Sequence, residues 1–143
     1  MSSTRRSSRV AERLAHGLLD TSVVIDLPVL DPDLLPRSVA ICAITVAELA
    51  AGTLVAIDLT ERARRQDRLQ RVEAMFEPLP FDGQAARAYG RIFAAVAAVG
   101  RKPRSRLADL QLAAVALAND LAVVTRNDAD FIGLEGLVDI VPV

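Results

Sequence analysis

"GLLDTSVVIDL", residues 17–27, decides how the chain is read. An apolar run climbs to Asp20, and a second aspartate, Asp26, follows six residues later among valines and isoleucines. A carboxylate at the end of an apolar strand is costly to bury unless something uses it. "GLLD" reads as a strand, and "SVVIDLPVL" leaves it as a helical turn or short helix.

Working outward, short apolar runs alternate with helical patterns. "SVAICAI" (38–44) reads as a second strand, followed by a helix through "TVAELAAGTL". Thr60 is the expected N-cap of the charged helix "ERARRQDRLQRVEAMF". "EPLPF" (77–81) reads as a third strand. Asp82 caps the next helix, in which Ala85, Ala88, Tyr89, Ile92, Phe93, Val96 and Val99 recur at helical spacing, and Gly100 closes it. A basic loop, "RKPRSR", leads into the alanine-rich helix "LADLQLAAVALAND". "LAVVT" is a fourth strand, "RNDADF" a polar turn and "LVDIVPV" a terminal strand. Strands alternating with helices predict an α/β fold, a parallel sheet covered on both faces. The unbroken apolar runs suit strands buried on both sides, and ligands in such sheets bind beyond the carboxyl ends of the strands. No linker divides the chain, so residues 17–143 read as one domain behind a flexible basic N-terminal tail, residues 1–16.

Composition narrows the chemistry. Net charge is −1 and 52% of the residues are apolar, so neither a disordered chain nor a strongly basic nucleic-acid binder is expected. Yet of the 17 basic residues only Lys102 is lysine, and arginine is the better bidentate phosphate ligand. A single cysteine, Cys42, rules out an internal disulfide and points to a reducing, cytoplasmic setting. The start of the chain has charges but no apolar core of signal-peptide length, and no later run approaches a membrane span. The one histidine, His16, falls in the tail, which excludes a two-histidine nuclease and Ser–His–Asp or Cys–His hydrolases. Neither GxxxxGK[ST] nor GxGxxG occurs, so nucleotide-driven chemistry is not expected.

The acids carry the remaining signal. Asp20 ends strand one, Glu48 lies in the first turns of the helix after strand two, and Asp109 begins the helix before strand four. Asn127, Asp128 and Asp130 sit in the turn after strand four. With strand four beside strand one, these positions meet at one mouth. Crowded carboxylates repel, and a divalent cation removes the conflict. Oxygen ligands without cysteine or histidine suit Mg²⁺ or Mn²⁺, and the matching chemistry is metal-assisted phosphodiester hydrolysis. The same crowding predicts that Asp20→Asn keeps or raises the stability of the cation-free protein. Plainer roles stand beside these: helix caps for Asp82 and Asp109, turn formation for Asp128 and Asp130, a cap or support for Asp20 at Asp26, and a solvated helix face for Glu48. A phosphatase using Asp20 as nucleophile would need a second acid where Ser22 stands. A non-catalytic module holding a structural ion is the other alternative.

"LLDTSVVID", "ITVAELAAG", "RLADLQLAAVA" and "VVTRNDADF", in this order and spacing, resemble the four motifs of PIN-domain ribonucleases, and among them the VapC toxins of VapBC toxin–antitoxin pairs. The resemblance spans nearly everything after the tail. It implies a PIN-like three-layer sandwich with central parallel sheet order 3-2-1-4-5. It implies a Mg²⁺- or Mn²⁺-dependent endoribonuclease that cuts structured RNA such as tRNA or rRNA. It also implies a VapB-type antitoxin, received by the amphipathic early helices, and a toxin homodimer within a higher complex. Asp20, Glu48 and Asp109 match the first three acids. Asp20 and Asp109 would be the main cation ligands, with Glu48 joining directly or through water. For the fourth, Asn127 and Asp130 both match; Asp130 is favoured, with Asp128 as the alternate. Thr21 and Ser22 match hydroxyl residues that orient the first acid. Cys42 stands where relatives often carry serine. Arg101, Lys102, Arg104 and Arg106 lead into the helix bearing Asp109 and are the expected RNA phosphate contacts; Arg106 also matches a basic residue often found before the third acid, whose role is either to bind phosphate or to pair with a carboxylate. Arg62, Arg64, Arg65, Arg68 and Arg71 read instead as a solvated helix face paired with Glu61, Asp67 and Glu73. With one tyrosine, four phenylalanines and no tryptophan, base stacking should contribute little.

Overall fold

The computed structural model describes residues 15–143; residues 1–14, most of the expected tail, lie outside the described residues. Four strands are present: β1 (His16–Leu19), β2 (Ser38–Ala40), β3 (Ala122–Thr125) and β4 (Ile140–Pro142). Five helices accompany them: α1 (Thr21–Asp26), α2 (Ala43–Val55), α3 (Leu59–Met75), α4 (Gly83–Ala98) and α5 (Leu107–Ala118). The sheet is parallel throughout, in the order β2-β1-β3-β4. His16 is not in a tail: it opens β1 and pairs with Ser38.

The expected third strand, "EPLPF", contributes one residue. Leu79 bridges Cys42 in parallel, donating to the Ile41 carbonyl at 2.9 Å and accepting from the Ala43 amide at 2.8 Å. Pro78 and Pro80 flank it and have no N–H to extend the ladder. The bridge lies on the β2 side, so the order matches expectation while the outermost strand is reduced to a point. "SVAICAI" also stops early. Cys42 is the N-cap of α2, and Ala43 and Ile44 are already helical. At α3 the N-cap is Asp58, which accepts from the Thr60 amide, and not Thr60 itself. Asp82 caps α4 as expected, accepting from Ala85 N at 3.0 Å, and Gly100 follows with φ +77°, a conformation glycine adopts freely.

Side-chain alternation splits the core in two. Leu18 and Val123, paired in register, face α4 and α5 in one apolar cluster with Ile92, Val96, Leu112 and Phe131. Leu19 and Val124, one residue on, face α1, α2 and α3 in another with Val23, Val24, Ile41, Leu49 and Val72. This is the two-sided burial expected of a parallel sheet between helical layers. Gly17 sits in β1 where β3 and the segment before β2 crowd it: a Cβ there would meet Val124 Cγ2 at 2.6 Å and Pro36 Cγ at 2.9 Å. On the α2–α3 hairpin, Arg62 and Arg65 reach back to the Ala56 and Gly52 carbonyls, while Arg64, Arg65 and Arg71 pair with Glu61 and Asp67. The pairs with Glu61 and Asp67 follow the spacing, Glu73 takes no part in them, and the carbonyl contacts of Arg62 and Arg65 add a structural role to the solvated face expected. Among the described residues no helix is long and apolar enough to cross a membrane.

Candidate active site

β1 and β3 run side by side and end together, and this places Asp20. Its amide donates to the Val124 carbonyl at 2.8 Å, which carries the β1–β3 ladder one residue further. Its side chain then caps α1. Oδ1 accepts from the Thr21 amide at 2.8 Å, and Oδ2 accepts from the Ser22 hydroxyl at 3.0 Å and the Thr125 hydroxyl at 2.7 Å. Asp20 is only 5% exposed, so these three donors are what make a buried carboxylate tolerable. Thr125, fully buried, also accepts from the Asn127 amide at 3.0 Å. The Arg126 amide donates to Ser22 at 3.3 Å. The end of β3 is thus stitched to the start of α1 through Asp20. An asparagine at position 20 would turn an amide toward this set of donors, so relief of charge does not make Asp20→Asn a stabilising change.

The hydroxyl of Thr21 serves a different acid from the one expected. It donates to Glu48 Oε1 at 2.7 Å and lies 3.0 Å from the buried hydroxyl of Thr45. A carboxylate only accepts, and a hydroxyl has one proton. Thr21 therefore gives its proton to Glu48, and Thr45 donates to Thr21. Glu48 is on the exposed side of α2, yet this relay from the core fixes where it points.

Asp109 lies in the first turn of α5. Burial and the charges of Asp20, Asp130 and Glu48 together push its carboxyl from an ordinary 3.8 up to about 6, with Arg106 opposing them. That mutual repulsion is the electrostatic sign that the four acids share one mouth. Asp130, on the 3-10 turn Asp128–Phe131, is ion-paired with Arg106. Asp128 is exposed and instead lines a cavity with Phe131, Ile132, Glu135 and Ile140. Asn127 contributes its backbone: its amide goes to Thr125 and its carbonyl accepts from Asp130 N. Asp26 does not touch Asp20. Its side-chain partner is Arg126, at 3.5 Å.

Of the four expected phosphate contacts, two are engaged internally. Arg101 donates to the Ala129 carbonyl at 2.8 Å and Arg106 holds Asp130. Lys102 and Arg104 are exposed. Sequence reasoning passed over Thr45, Thr125 and Arg126. Only Thr125 had a signal, a polar residue ending an apolar strand where Asp20 ends its neighbour.

The donors at this mouth are oxygens, and Asp109 among them feels burial first and then the negative charges of Asp20, Asp130 and Glu48, only partly offset by Arg106. Both traits fit a hard divalent cation. Among the described residues, however, no three of these groups are already arranged to hold one. Glu48 is committed to Thr21 and Asp130 to Arg106.

A parallel sheet between helical layers, with acids gathered where its central strands end, defines a class. The chain belongs to the PIN-domain family, whose model matches residues 17–137. It is similar to Ribonuclease VapC5 of Mycobacterium tuberculosis, with 42% identity over 129 residues, 88% of this chain and 93% of that one. Among solved structures it resembles VapBC-5, a member of the VapBC family of toxin–antitoxin systems from Mycobacterium tuberculosis. There the TM-score is 0.79 with 43% identity, covering 90% of this chain and 99% of the other. FitAcB from Neisseria gonorrhoeae matches with a TM-score of 0.68 and 29% identity, over 86% and 94%.

Proposed function

We propose that this protein is a VapC-type toxin, a Mg²⁺- or Mn²⁺-dependent endoribonuclease acting on structured RNA such as tRNA or rRNA. The observation that carries the reading is the gathering of Asp20, Glu48, Asp109 and Asp130 at the ends of the central strands, where burial first and then the charges of Asp20, Asp130 and Glu48 push Asp109 up to about 6. Its similarity to a ribonuclease over most of both chains supports the same reading. Asp20 and Asp109 would hold the cation, with Glu48 joining directly or through water. A bound divalent cation would offset phosphoryl charge and lower the pKa of an attacking water. Thr125, Ser22 and the Thr21 amide fix the position of the Asp20 carboxylate. Glu48, steadied by Thr21 and Thr45, is placed to orient that water or take its proton. Lys102 and Arg104, exposed beside the mouth, would meet RNA phosphates.

The partner in this reading is a VapB-type antitoxin, as in the VapBC complexes the chain resembles. Leu54, Val55, Ile57 and Leu59, 71–96% exposed around the α2–α3 corner, supply apolar surface for it or for a second toxin copy.

The test is cleavage. Purified protein with Mg²⁺ or Mn²⁺ should cut RNA, and Asp20→Ala or Asp109→Ala should lower the rate by orders of magnitude. Undiminished cleavage by either variant refutes the assignment. Sequencing RNA 5′ ends after brief induction, wild type against Asp20→Ala, would name the target.

A further inference from the structure

Arg106 and Arg101 leave the same loop and grip the same turn. Arg106 pairs with the Asp130 carboxylate, and Arg101 donates to the neighbouring Ala129 carbonyl at 2.8 Å. The turn is held through its backbone by Arg101 and through the buried Phe131, while Arg106 occupies only the Asp130 side chain. Both members of the ion pair are about one-third exposed, 32% and 30%, so an incoming anion can reach the guanidinium without unfolding anything. A guanidinium fork binds phosphate as readily as carboxylate. The remaining acids at the mouth, Asp20, Asp109 and Glu48, would gain a further partner if Asp130 were let go.

We propose that Arg106 is a latch: in the RNA-free protein it withholds Asp130 from the cation site, and an RNA phosphate takes its place and releases Asp130. This rests on the cation-dependent nuclease reading and adds to it an order of assembly. RNA and cation then bind cooperatively, each raising the affinity for the other by the same factor. The free toxin holds its cation weakly, and the site is completed only around substrate. Arg106 is in this sense a positioning residue acting through Asp130.

Mn²⁺ affinity, measured by calorimetry with no RNA present, tests the latch. Arg106→Ala should tighten Mn²⁺ binding about tenfold, the scale of coupling between groups in direct contact, while weakening RNA cleavage. Loss of a nearby positive charge also favours a cation, so the comparison is a cycle with Asp130→Asn. In the Asp130→Asn background Arg106→Ala should tighten binding only about as much as Arg104→Ala does in the wild type. Arg106→Lys should fall between wild type and alanine, because an ammonium holds the carboxylate without the planar fork. Binding that depends on Asp20 but is unmoved or weakened by Arg106→Ala overturns the latch alone. An equal gain with and without Asp130 also overturns it, leaving simple charge attraction. Absence of Mn²⁺ binding in both wild type and Arg106→Ala overturns the latch together with the cation reading.

Discussion

Asp109→Asn should stabilise the cation-free protein at neutral pH and leave it unchanged in acid. The Asp109 carboxyl titrates at about 6 in the folded chain, against 3.8 ordinarily, through burial first and then the charges of Asp20, Asp130 and Glu48. Between those values the folded protein keeps a proton that the unfolded chain releases. The stability tied to that proton is fully present below about pH 4 and is lost as pH rises through about 6. Raising the carboxyl from 3.8 to about 6 corresponds to about 3 kcal/mol at most. Asp109 is half-buried, so solvent screening reduces this to about 1–2 kcal/mol. For a chain of this size that is a rise of about 4–6 °C in Tm. The assay is thermal unfolding of wild type and variant in chelator from pH 4 to 7.5. The two Tm values should be closest at pH 4, move apart as pH rises toward 6 and differ by a steady amount above it. Adding Mn²⁺ should then favour the wild type, because binding to the folded state adds stability by mass action. A constant difference across pH, or a variant less stable at pH 7, would refute the reasoning.

Other consequences are equally direct. Thr125→Val keeps the shape but strips one donor from Asp20 and the acceptor from the Asn127 amide; denaturant unfolding should show a loss of about 2–3 kcal/mol. Thr45→Val breaks the relay to Glu48 at its buried end. Cleavage should lose kcat with KM little changed, and its pH profile should move, which a purely structural loss would not do. Gly17→Ala drives a methyl into Val124 and Pro36 and should cost about 1–3 kcal/mol by overpacking, read as a lower Tm.

Much of this architecture is local chemistry and was legible as such. The runs ending at Asp20 and Thr125 could only be buried strands, and Asp82 followed by an apolar helical stripe could only be a cap. The misreadings share a cause: each turned on a hydrogen bond. "EPLPF" has a strand's side chains without the amides to pair, and "SVAICAI" passes from ladder to helix at Cys42 with no change in hydropathy. Thr60 looked like a cap until Asp58, two residues earlier, took its amide. At the mouth, the acids were visible because their type and order are informative. Their supporting hydroxyls were not, since Thr45 meets Thr21 across 24 residues and Thr125 meets Asp20 across 105. Asp26 went to Arg126 for the same reason, as nothing in the chain's order brings the end of α1 beside the end of β3.

The prolines around Leu79 have a further consequence at the level of solution behaviour. An open sheet edge is a template on which another chain can add strands and aggregate. Here one border of the sheet is a single residue between Pro78 and Pro80, and the other strand at a border, β4, ends in Pro142. Neither border offers a run of amides on which another copy could template. Colloidal stability is thus built into the edges, and association is left to side chains on the helices, where partner choice can be selective.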